Sequence, residues 1–459
     1  MRRAVDPDPP GPRTIGTLAA IPRFRREPFT EILAINDRYG PLVCSRFLSR
    51  RFYSVCHPDH VRHILHDNHR NYVKGELIGR TRILIGNGLF SSEGDTWRQQ
   101  RRIIQPTFHR QRVASLASMI TDATIAMLAR WTRRTDGGVP FDVAAEMHRL
   151  TLDIAGQALF GVDLSGEGAR IADALHTALS HVNHLVTSLF PIPPGLPSRR
   201  NLRFRGALRT LDDAVFRIIR QRRAGAAPDT TDLLSLLLAA RDEETGEVMS
   251  DRQLRDEVMT FFLAGHETTA LALTWALYGV ATNPDVEAQL RAEAERVLAG
   301  RVPVVDDLTR LPYTRAVLDE TLRLYPPVWA FAREAIADDR IGGYRIRAGS
   351  PVAILPYLTH RLRAFWDDPE RFDPERFSPG RVAERPRYAY LPFGGGPRQC
   401  IGNEFALMEA HLILPMIARD YRLVIEDGRS VRPEANLTLR PRGGLIATMH
   451  RVADPPACM

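Results

Sequence analysis

Lysine is almost missing from this chain of 459 residues: Lys74 is the only one, so nearly every positive charge is arginine. A phosphate-cradling P-loop is thereby excluded, because its lysine must precede Ser or Thr and Lys74 precedes Gly75. Cysteine is scarce too. Cys44, Cys56, Cys400 and Cys458 lie far apart without CxxC spacing, which argues against a zinc site and a disulfide framework and fits a reducing compartment. The N-terminus, Met1-Arg2-Arg3 followed by Asp6, Asp8 and several prolines, lacks the apolar stretch of a secretory signal, so the expected location is cytoplasmic. The stretch Phe261 to Ala281 approaches the length and apolarity of a membrane span, but His266, Glu267, Thr268 and Thr269 interrupt it. Such a cluster is costly in lipid and suits a buried helix lining a polar site, so no membrane span is expected. The net charge is +8, yet the arginines are spread along the chain instead of forming one block. No nucleic-acid partner is expected, only a mildly basic docking face.

What is present describes a globular protein with a large core: 44% hydrophobic and 25% charged residues. The expected fold is mainly α with small β-sheets, in one domain over 28–450, with a loose N-terminal segment over 1–27 and a tail over 451–459. Short alternating runs at Leu42 to Phe47 and Arg51 to Cys56 read as a hairpin. Asp95 reads as the N-cap of a helix on which Trp97 and Arg101, four apart, share a face and can aim donors at one anion. Helical patterns follow at Arg110 to Arg133, Asp142 to Phe160, Gly168 to Leu189 and Arg205 to Arg223. The break Phe190-Pro191-Ile192-Pro193-Pro194-Gly195-Leu196-Pro197 is either a connector or the lid of a hydrophobic pocket. Ser250, with Gln253 in capping-box position, opens a helix of some thirty residues that ends at Asn283-Pro284.

Besides the Trp97–Arg101 face, three motifs carry chemistry. In that long helix, Ala264-Gly265-His266-Glu267-Thr268-Thr269 places a glycine and polar groups where a buried helix keeps methyl groups. The threonines either open a proton path or satisfy their own backbone. His266-Glu267 is no zinc HExxH, since the second histidine position holds Ala270. Glu320 and Arg323 share a helix face and form either a surface ion pair or a buried one. The loop Phe393-Gly394-Gly395-Gly396-Pro397-Arg398-Gln399-Cys400-Ile401-Gly402 is too rich in glycine and proline for helix or central strand, and delivers Cys400 to a helix start. Alone, Cys400 reads as a metal ligand or as a buried structural cysteine.

Taken in order and spacing, these motifs resemble the cytochrome P-450 family of haem-thiolate monooxygenases. Phe393, Gly396, Arg398, Cys400 and Gly402 match its FxxGxRxCxG pattern. Glu320 and Arg323 match ExxR, the central helix matches [AG]Gx[DE]TT, and Trp97 with Arg101 matches WxxxR. The resemblance implies haem b (iron protoporphyrin IX) with Cys400 as axial thiolate. It gives the propionates to Trp97, Arg101, Arg333 and Arg398, and lets Phe393 tune the thiolate. Glu320, Arg323 and, by distance from the cysteine, Arg376 instead of Arg371 form a structural triad. Thr268 and Glu267 deliver protons to the reacting dioxygen, and Ala264 with Gly265 leaves it room.

The implied reaction inserts one oxygen atom into a C–H or C=C bond, with electrons from NAD(P)H through a separate ferredoxin or flavodoxin and its reductase. The pocket residues expected are Leu77, Ile85, Leu189, Phe190, Leu263, Val328, Trp329 and Phe331, all apolar. A terpenoid is the first expectation for substrate, fatty acids and steroids next, in a monomeric bacterial enzyme. Two rivals remain: a haem-thiolate enzyme that uses peroxide or rearranges its substrate, disfavoured by the intact Glu267-Thr268 pair, and a non-catalytic gas sensor or carrier.

Overall fold

Prolines near the N-terminus do not leave that segment loose. The computed structural model describes residues 7–135, 138–161, 168–188, 192–225, 232–426 and 431–452. In it the Pro10 and Pro12 carbonyls accept the Cys44 and Arg46 N–H groups at 2.9 and 3.0 Å. Asp8 pairs with Arg46, Arg51 and Arg347, and Thr14–Arg26 is a helix. The expectation of a loose segment over 1–27 is therefore corrected over its described part. Proline has no N–H to give, but its carbonyl still accepts, so a proline-rich segment can line a strand whose donors face it.

Packing gathers the chain into two compact units. The first comprises Met1–Gly79, Asp319–Cys400 and Pro433–Arg440; the second comprises Arg80–Leu318, Ile401–Arg432 and Pro441–Met459. The first unit is built on a five-stranded sheet in the order Leu42–Phe47, Arg50–Val55, Pro351–Ile354, Phe331–Ala335, Tyr72–Val73. Its neighbours are antiparallel except Arg50–Val55 with Pro351–Ile354, which run parallel with Tyr53 opposite Val352. Alternation puts Tyr53, Val55, Val352 and Ile354 into one core, which Tyr388 and Leu391 also enter just before the cysteine loop.

The second unit is organised on the helix Asp251–Ala281, with Ser250 Oγ accepting the Gln253 N–H at 3.2 Å as the capping pattern predicts. It packs against Val143–Phe160, Arg199–Arg223 and Asn403–Asp420. Phe261 to Ala281 thus belongs to a core helix, buried along most of its length. A three-stranded sheet, Phe141–Asp142, Ile446–Arg451 and Tyr421–Ile425, lies in the same unit.

Several boundaries differ from the sequence pattern. The run from Arg110 breaks into Arg110–Ala114 and Ala117–Thr135, where Ser115 Oγ bonds back to the Arg112 carbonyl at 2.7 Å and competes with the helix. Arg199–Arg223 starts earlier than expected because Ser198 caps it, while the Asn201 amide donates to the Pro193 and Leu196 carbonyls. Glu93, not Asp95, is the N-cap of Gly94–Ile104; Asp95 stands in the first turn, where its charge still suits the helix's positive end. Leu189, Phe190 and Cys458 lie outside the described residues.

Candidate active site

The loop around Cys400 is held by its own backbone and by the first unit beneath it. The Cys400 N–H donates to the Phe393 carbonyl at 3.0 Å, and the Gly394 N–H donates to the Leu391 carbonyl at 3.0 Å. Gly394 and Gly396 have φ of 72° and 65°, a region that costs other residues about 1–2 kcal/mol. Gly396 lies so close to the Leu65 carbonyl that a Cβ would overlap it, and at Gly395 a Cβ would meet the Tyr388 ring at 2.5 Å. Leu65 belongs to a π-helical turn, His63–Asp67, closed by the Asn68 N–H on the His63 carbonyl at 2.8 Å. The helix Asn403–Asp420 begins after Gly402, its N-cap, so the exposed thiol stands two residues before the cap.

Glu320 and Arg323 form a buried pair, both side chains fully inaccessible, with two bonds of 2.6 and 2.8 Å. Arg323 also donates to the carbonyls of His360, Pro369 and Arg371, and Glu320 accepts the Asp373 N–H at 2.8 Å. The stretch from Pro369 to Asp373 is thereby sewn to one helix face. Arg376 is buried and stands 3.5 Å from Glu320, with its Nη2 on the Asp368 carbonyl at 2.8 Å. Arg371 contributes only its backbone, and its side chain is exposed.

In the second unit, the central helix is buried from Leu254 to Val280 apart from Ala264, Gly265, Glu267, Thr268 and Tyr278. The first four make one local break in the burial of this helix. Thr268 Oγ1 donates to the Ala264 carbonyl at 2.7 Å and Thr269 Oγ1 to the Gly265 carbonyl at 3.1 Å. Each hydroxyl hydrogen is thus committed, and each oxygen keeps lone pairs to accept with. His266 turns inward, its Nδ1 on the Phe262 carbonyl at 2.7 Å.

Sequence reasoning missed Glu409, which lies within hydrogen-bonding reach of Thr269. Its visible signal was one carboxyl in the largely apolar stretch Met408 to Leu414, which also holds His411. Burial pushes Glu409 up to about 8, so it holds its proton at neutral pH. Because its folded value lies above the ordinary 4.5, any stabilising effect of the proton is full below 4.5 and is lost as pH rises toward 8. Glu409→Gln removes this titration. Thermal melts should show the variant gaining on the parent steadily between those two values, whereas a constant difference would contradict the buried proton.

The other expected residues fall as follows. Trp97 packs on the second unit's core and shares a face with Arg101, whose Nε donates to Gln105 at 3.1 Å. Arg333 lies over the Phe331 ring, its centre 5.2 Å away, and donates to the Ala332 carbonyl. Among pocket residues, Leu77 and Val328 are exposed, Phe331 is half-buried, and Leu263, beside Ala264, is buried at the edge of the second unit's core. One expectation needs correction. Ile85 has no exposed surface and is a core residue of the second unit. Trp329 is half-buried: it meets Phe29 edge-on at 5.5 Å, and its indole N–H donates to the Asn436 carbonyl at 2.8 Å.

The donor chemistry suits haem. Among the described residues no three His, Cys, Asp or Glu side chains group to hold a bare metal ion. The exposed Cys400 thiol, on a loop held by its own backbone bonds, would supply one protein ligand to an iron carried in a porphyrin.

Comparison with known proteins agrees. The family model described as Cytochrome P450 matches residues 9–448. Cyclooctatin synthase of Streptomyces melanosporofaciens is 39% identical over 410 residues, 89% of this chain and 88% of that protein. Cyclooctat-9-en-7-ol 5-monooxygenase of the same organism is 37% identical over 397 residues, 86% and 84% of the two chains. A crystal structure of the cytochrome P450DA heme domain superposes with a TM-score of 0.88 at 30% identity, covering 98% of each chain.

Proposed function

This chain belongs to the cytochrome P450 family, a family of monooxygenases, and we propose that it oxygenates a compact terpenoid with Cys400 as the axial ligand of its haem. The observation that carries the reading is the Cys400 loop: one thiol, fixed through the Phe393 carbonyl and the Gly396–Leu65 contact, with Arg398 two residues away. Haem, when bound, supplies the reductive activation of dioxygen.

The remaining work belongs to side chains of this protein. By the family's pattern, Arg398, Arg333, Arg101 and Trp97 would supply donors to the haem propionates, a task that suits guanidinium forks. Phe393, whose carbonyl accepts the Cys400 N–H, would adjust the thiolate's donor strength. Thr268 keeps its oxygen as an acceptor, since its hydrogen is spent on Ala264, and Glu267 precedes it as the carboxyl of the proton relay. Glu409 stores a further proton behind Thr269. Electrons come from NAD(P)H through a ferredoxin or flavodoxin and its reductase.

Two facts support the substrate class. Leu77, Leu263, Val328 and Phe331 are apolar, and the name of one relative carries an alkenol, cyclooctat-9-en-7-ol. Titrating the ferric protein with cyclic terpenes, fatty acids and steroids, and following the haem spin state, tests the assignment. Cyclic terpenes should produce the largest low-to-high-spin conversion at the lowest concentration. A response confined to fatty acids would refute it.

A further inference from the structure

One fully buried histidine, outside every motif, joins the Glu320–Arg323 pair to the cysteine loop. The Nδ1 of His360 bonds to the Arg323 carbonyl at 3.1 Å, and its Nε2 bonds to the Leu391 N–H at 2.9 Å. A carbonyl can only accept and an amide N–H can only donate, so the proton sits on Nδ1 and Nε2 is bare. The ring is therefore neutral. Burial, reinforced by the Arg323 and Arg361 guanidiniums, pushes it down to about 3 and keeps it so at working pH. Arg323 grips the same residue again, Nη1 donating to the His360 carbonyl at 2.9 Å. Beyond Leu391 the chain of bonds continues: its carbonyl takes the Gly394 N–H, and the neighbouring Phe393 carbonyl takes the Cys400 N–H, each at 3.0 Å.

We propose that His360 is a positioning residue for Cys400, its Nε2 lone pair anchoring the root of the loop at Leu391 and so linking the buried ion pair to the thiol. The proposal rests on the reading of Cys400 as axial ligand. It differs from a space-filling role in depending on one acceptor at one place. Glutamine can set its side-chain oxygen near the position of Nε2, whereas asparagine can replace the Nδ1 donor but does not reach Leu391.

The experiment compares His360→Gln, His360→Asn and the parent in two ways. Amide hydrogen exchange at Leu391 and Gly394 reports the anchor itself, and the Soret band of the reduced carbon monoxide complex reports thiolate ligation. His360→Asn should exchange about tenfold faster at Leu391, the effect of one lost hydrogen bond, and should lose most of the red-shifted thiolate band. His360→Gln should keep the parent's behaviour in both. Equal behaviour of the two variants, or parent-like exchange in His360→Asn, would overturn the proposal. A parent protein without the red-shifted band would instead refute the axial role of Cys400, and the exchange comparison would still decide whether His360 anchors the loop.

Discussion

Arg323→Leu should lower stability against urea by about 3–5 kcal/mol, the usual cost of leaving one charge of a buried pair without its partner. The structure gives reasons to expect the upper part of that range. Glu320 would stay fully buried with the Asp373 N–H and a guanidinium at 3.5 Å as its remaining partners. The carbonyls of His360, Pro369 and Arg371 would each lose a charged donor in the same step. Arg323→Lys should rescue little, because a single ammonium cannot fork onto Glu320 and reach three carbonyls as well. A loss below about 1 kcal/mol would place the pair among exposed ion pairs and contradict its burial.

Gly396→Ala should be the most damaging single methyl addition in the cysteine loop. Two costs combine there: a φ of 65°, worth about 1–2 kcal/mol, and overlap with the Leu65 carbonyl oxygen, which is backbone and cannot swing aside. Gly394→Ala is the matched control, since its φ is 72° but a Cβ meets nothing within 4 Å. Haem retention on a desalting column and thermal melting should therefore fall much further for Gly396→Ala than for Gly394→Ala. Equal losses would mean that backbone conformation alone explains these glycines.

These contrasts also show where sequence was informative. The central helix was legible from Ser250 and Gln253 at one end and Asn283-Pro284 at the other, because capping and proline act over a few residues. The mainly helical fold with small sheets and the family followed from motifs whose spacing is local. The purpose of the loop glycines was not legible. They appear in sequence as freedom for the backbone to approach something flat, yet Gly396 and Gly395 answer to Leu65 and Tyr388, the first more than three hundred residues away.

Glu409 and His360 escaped notice for a related reason. Each has a partner, Thr269 or Leu391, that becomes visible only once distant segments meet. The N-terminal segment misled through composition, since prolines mark missing donors and say nothing about the acceptors that Pro10 and Pro12 present to Cys44 and Arg46. The distance argument that chose Arg376 over Arg371 agrees with the geometry, where only Arg376 turns its side chain toward Glu320.

The measurement that bears most directly on the whole account is the absorption spectrum of the reduced protein under carbon monoxide, taken on the parent and on Cys400→Ser. The parent should show the strongly red-shifted Soret band of a thiolate-ligated haem, and Cys400→Ser should lose it. A parent without that band, or a variant that keeps it, would contradict the assignment of Cys400 as the ligand around which this protein is built.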